Sequence, residues 1–204
     1  MNKNTFFEII GKYNSNTLVF QLILIVLILM SLIFAYRYKK YFLPKVFLGI
    51  SNIFVSIVFF MYYGKYPIQY YFAAPLFLIS GSLFIYEAVK NKKDILNKPN
   101  SFNVILFIIV LLYPLISYLL GHEYPLTALF LMPCPLISLS IVIYSNYDKK
   151  NKLLMILLIL WGMTGVKSII FEAYEDIILW GCGFYGIYIL IKDHNNNKRA
   201  LLVE

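Results

Sequence analysis

Apolar residues in this chain come in long unbroken runs parted by short polar stretches, rather than alternating in twos. Seven runs can be read, at residues 17–36, 46–63, 70–89, 102–120, 126–144, 153–171 and 177–191. A helix needs about 20 mainly apolar residues to cross ~30 Å of hydrocarbon, and six of the runs are close to that length. The seventh is shorter and, at ~1.5 Å per residue, reaches ~22 Å, so flanking residues or a thinner bilayer must cover the difference. Lipid offers the backbone no hydrogen-bond partners, so only helices and closed barrels span it. A barrel needs period-two alternation, which is lacking. The expected fold is therefore all-α, a polytopic transmembrane bundle of about seven spans.

Composition agrees. Of the 204 residues, 61% are hydrophobic and 14% charged, and the mean hydropathy is +0.74. A soluble domain holds roughly 45–50% apolar residues, so the surplus must face lipid. The net charge is +8. In a soluble chain that balance would suggest nucleic acid. Here most of the 18 lysines and arginines lie in alternate connections: Arg37, Lys39, Lys40 and Lys45; Lys90, Lys92, Lys93 and Lys98; Lys149, Lys150 and Lys152; and a tail with Lys192, Lys198 and Arg199. Basic loops resist translocation, so this set is expected in the cytoplasm, with the N-terminus outside, the C-terminus inside and an odd number of spans. Nucleic acid is not an expected partner; the lipid bilayer of the cell membrane is. Residues 1–16 read as an outer, interfacial segment, residues 17–191 as the seven-helix domain and residues 192–204 as a cytoplasmic tail. The first run is too long for a signal-peptide core and is expected to remain as an anchor.

Candidate chemistry is sparse. Gly121-His122-Glu123-Tyr124-Pro125 forms the outer connection before the fifth run, and Pro133-Cys134-Pro135 lies inside that run. Proline has no N–H and clashes with the carbonyl four residues back. Pro133 and Pro135 are thus expected to break the helix and release the carbonyls of Leu129 and Leu131. Cys134 and Cys182 both fall in the outer half of the bilayer, below His122. As a thiol pair with His122 they could hold a soft metal or form a redox couple; as small residues they could serve packing alone. Lys167 is an intramembrane lysine near the outer end of the sixth run, and such a charge is a functional candidate by default. With His122, Glu123 and Glu172 it defines an outward-facing polar site for a solute or ion, against the plainer reading of a structural ion pair beside a solvated acidic loop.

Phe6-Phe7, Tyr13-Asn14, Gly121-His122 with Pro125, and Pro133-Cys134-Pro135 together resemble a family of uncharacterised prokaryotic multi-pass membrane proteins. The resemblance extends over most of the chain through short motifs. It implies a membrane domain and carries over no substrate, cofactor or catalytic residue. Phosphate-binding, zinc-protease, esterase and dinucleotide signatures are missing, so the sequence requires no cofactor and suggests no enzyme. The leading expectation is a membrane protein that binds or transports a small solute or ion. The alternatives are a membrane-embedded thiol, metal or redox protein, and a structural or accessory membrane subunit; a homo-oligomer or a larger membrane complex is an expected form of assembly.

Overall fold

The computed structural model describes residues 3–64 and 66–201; Met1, Asn2, Lys65 and the last three tail residues lie outside the described residues. The regular elements among the described residues are all helical. Helix α1 runs unbroken from Lys3 to Tyr38, so the polar first segment is continuous with the first apolar run. Its polar side chains bond back within the helix: Asn16 Nδ2 donates to Lys12 O at 2.7 Å and Thr17 Oγ1 to Tyr13 O at 2.7 Å. Lys12 and Glu8, one turn apart, form an exposed ion pair. At ~1.5 Å per residue α1 is ~54 Å long, well beyond the hydrocarbon thickness.

Helix α2 (Phe42–Phe54) passes directly into a π-helical stretch, Val55–Gly64. A second π turn, Gln69–Ala73, leads into α3 (Ala74–Lys90). The two helices touch backbone to backbone: a Cβ on Gly81 would lie 2.7 Å from Gly49 O, and one on Gly49 would lie 2.9 Å from Gly81 O. Helices α4 (Ser101–Leu111) and α5 (Tyr113–Leu119) are bent by 53° at Leu112. Pro114, in the first turn of α5, has no N–H to carry the ladder across that bend.

The fifth apolar run differs most from expectation. Residues 121–132 are irregular, and α6 spans only Pro133–Tyr144. Pro133 and Pro135 thus sit in the first turn, where a missing N–H costs nothing because the leading donors of a helix have no partner there anyway. They open a helix instead of breaking one. The irregular stretch is held by α1: Tyr13 Oη donates to Leu131 O at 2.9 Å, and Asn14 Nδ2 donates to Pro125 O and Thr127 O, each at 2.8 Å. Leu129 O accepts from Met132 N. Irregular backbone among packed apolar helices is tolerated where protein satisfies its polar groups in this way. α6 is buried along nearly its whole length and forms the centre of the bundle. Helix α7 (Lys152–Gly162) continues through a 3-10 stretch, Met163–Lys167, into the short α8 (Ser168–Phe171). A 3-10 turn, Tyr174–Asp176, then starts α9 (Ile177–Leu201), which includes most of the expected tail.

Four stretches, Asn4–Tyr38, Phe42–Gly64, Gln69–Lys90 and Tyr174–Asn196, are long and apolar enough to cross a membrane, and the bent α4–α5 pair is a fifth if counted as one span. Along α1, Val19, Phe20, Ile23, Val26 and Ile33 are exposed, an apolar surface suited to lipid.

At the end of the bundle formed by the basic connections, Lys45 is fully buried, although the charge pattern places it in a solvated loop. Its Nζ lies 2.8 Å from Asp94 Oδ2, 3.7 Å from Glu87 Oε2 and 4.4 Å from the Tyr147 ring centre. Glu87 also accepts from Asn91 and Asn151. Tyr147 Oη donates to Tyr41 O at 2.6 Å, and burial pushes its phenol above the ordinary range, which keeps the proton on this donor. These contacts tie three connections together.

Candidate functional site

The opposite end of the bundle contains a cavity of about 270 Å³. Its walls come from segments far apart in sequence: Phe6 and Ile10 of α1, Phe59 and Phe60 of the first π stretch, Gln69, Phe72 and Ala73 of the second, Pro133 and Cys134 of α6, Trp161, Thr164 and Lys167 along α7 and its 3-10 extension, and Glu175 and Asp176. π-helical turns are rare and recur at functional sites because they widen the helix locally. Here both π stretches contribute wall.

The two carboxylates are set by local backbone chemistry. Glu172 adopts φ +56° and ends α8, and Ala173 N closes the turn on Ser168 O at 3.0 Å. The following 3-10 turn delivers Glu175 and Asp176 to the start of α9, where a helix dipole favours negative charge. Gly165 allows this seat, since a Cβ there would lie 2.7 Å from both Asp176 O and Trp180 N.

Glu175 is 3% exposed. Its Oε1 accepts from Ser117 Oγ at 2.9 Å and lies 3.1 Å from His122 Nδ1. Ser117 Oγ in turn accepts from Ala128 N at 2.9 Å. Glu175 Oε2 is buried with no hydrogen-bond partner. Asp176 Oδ1 accepts from Tyr113 Oη at 2.6 Å. His122 is held against the Phe7 ring, 4.7 Å between centres, and its carbonyl accepts from Thr127 Oγ1 at 2.6 Å. Gly121, at φ +95°, makes the turn that swings His122 back over α5; that backbone region is cheap only for glycine.

Of the residues singled out from sequence, His122 contacts Glu175 and Lys167 lines the cavity. Glu123 and Glu172 are exposed and are not part of the wall. Cys134 lines the cavity beside Asp176, whereas Cys182 is buried next to Ser138; both thiols are free. No group of three or more His, Cys, Asp or Glu that could hold a metal occurs among the described residues.

Glu175 and Asp176 were read from sequence, with Glu172, as an acidic connection that could pair with Lys167 but not as site residues themselves; Tyr113, Ser117, Trp161 and the aromatic wall were not singled out. A signal existed for some of them. Tyr113 and Ser117 are spaced i, i+4 on one face of an otherwise apolar run, and two adjacent acids directly before an apolar helix are more than a solvated loop requires. Nothing local marks Phe59, Phe60 or Phe72 among 17 phenylalanines.

Chemically, the arrangement is a small aromatic chamber with an acidic floor, buried at Glu175, and a lysine on its rim. Pockets for drug-sized ligands run to roughly 300–1,000 Å³, so this chamber suits something smaller. No curated protein and no solved structure matches the chain. Residues 3–200 match the model of a family of unknown function (DUF6064), and the chain belongs to that family.

Proposed function

We propose that this is a multi-pass protein of the cytoplasmic membrane that binds a small cationic solute in its acid-floored cavity. In this reading the chain crosses seven times, the N-terminus and the cavity face outward, and the basic connections face the cytoplasm. The shorter fifth crossing is completed by the irregular stretch packed on α1.

The observation that carries the reading is Glu175. A buried carboxylate with one oxygen unpartnered is costly, and the cost falls when a donor or cation arrives. Asp176 beside it adds a second negative charge. Phe59, Phe60, Phe72 and Trp161 favour an organic cation over a bare ion, because aromatic faces attract cations and exclude water at once. Whether binding leads to transport depends on a route to the other face, which a flux assay would detect.

The test is calorimetry on the purified protein in nanodiscs against a series of alkylamines and their uncharged alcohol counterparts. Amines are expected to bind and alcohols not. Glu175→Gln is expected to weaken amine binding at least tenfold with the protein still folded. Equal binding of alcohols and amines, or amine affinity unchanged in Glu175→Gln, would refute the reading.

A further inference from the structure

Resting on that reading, we infer that the occupant is a zwitterion of the α-amino-acid type, its ammonium at Glu175 and Asp176 and its carboxylate at Lys167. Lys167 lines the same chamber as the two acids, yet among the described residues it forms no salt bridge with any carboxylate. Opposite charges around one small cavity attract, less so where one of them is reached by water. Here each is anchored on its own element: Lys167 at the end of the 3-10 stretch after α7, the acids in the turn before α9. A simple monocation would satisfy the acids but feel the lysine. A ligand with both charges satisfies both.

A second observation, on Trp161, points the same way. Trp161 Nε1 is buried without a hydrogen-bond partner; the nearby Cys134 thiol is a weak acceptor. An indole N–H only donates, and Glu175 Oε2, likewise unpartnered, only accepts when ionised. Both atoms belong to residues of the wall, so the site holds an unused donor and an unused acceptor, to which a ligand carrying a carboxylate and an ammonium is matched. The phenylalanines leave room for an apolar side chain.

The experiment compares the set of neutral α-amino acids with two matched sets: the amines they become on losing the carboxyl group, and the acids they become on losing the amino group. Binding to the nanodisc protein is measured for each. At least one amino acid is expected to bind tenfold or more tightly than both of its counterparts. Lys167→Gln is expected to weaken that amino acid at least tenfold while leaving its amine equal or tighter. Glu175→Gln should weaken both. If amines bind as well as amino acids and Lys167→Gln changes neither, the zwitterion is refuted and the cationic-solute reading stands. If no member of any set binds, both are refuted. Lys167 is exposed, so its replacement should not unfold the protein; an unchanged melting temperature checks this.

Discussion

Replacing Lys45 by methionine tests whether the basic end of the bundle is held by charge. The change keeps much of the aliphatic volume and removes the ammonium. At an effective dielectric of ~20, attractions at 2.8 and 3.7 Å are worth about 6 and 4 kcal/mol before desolvation is counted. Much of that is offset by the cost of taking three charges out of water. Removing one partner does not return that cost, because Glu87 and Asp94 stay buried and now repel each other. A loss of ~3–5 kcal/mol is expected, as for other broken buried pairs. The assay is equilibrium unfolding in mixed micelles, with the exposed Lys92→Met as control. Adding Glu87→Gln and Asp94→Asn should recover more than half of the loss, since a fully neutral set has no stranded charge. A loss below ~1 kcal/mol in Lys45→Met, or no recovery in the triple variant, would refute the reasoning.

Three further outcomes are expected. Asn14→Leu strands the carbonyls of Pro125 and Thr127 and should cost ~2–4 kcal/mol in the same unfolding assay. Gly165→Ala drives a methyl against Asp176 O and Trp180 N; it should cost ~1–3 kcal/mol and weaken amine binding in calorimetry, because the acidic turn must shift. A single cysteine at position 92, in a chain with Cys134 and Cys182 replaced by serine, should resist a membrane-impermeant maleimide in intact cells; labelling there would invert the proposed orientation.

The helical bundle was legible because runs such as residues 17–36 and 70–89 have no other solution in lipid. The start of α6 was not, since residues 126–132 are apolar enough to continue a helix, and the bonds from Tyr13, Asn14 and Ser117 that hold them in another shape come from other parts of the chain. Lys45 was read as solvated because its partner Asp94 lies 49 positions away. Glu87 pairs with it too, and not with the nearer Lys90 or Lys92. At the site, Lys167 and His122 stood out as polar groups in apolar surroundings. Glu123 and Glu172 shared that appearance and stayed at the surface, while Glu175 and Asp176 looked like more of the same loop. A 3-10 turn of three residues separates those outcomes, and no composition or period announces it.

The grip of α1 on residues 125–131 also sets an order of assembly. In the seven-span reading proposed above, a helix of 12 residues would be too short to partition into lipid unaided as it leaves the translocon. Its entry would then depend on a surface that the ribosome made more than a hundred residues earlier. The first helix would thus serve as a cradle in cis for the fifth segment. A bulky N-terminal fusion that blocks this docking should yield chains that insert early helices normally and are then degraded for want of the middle one.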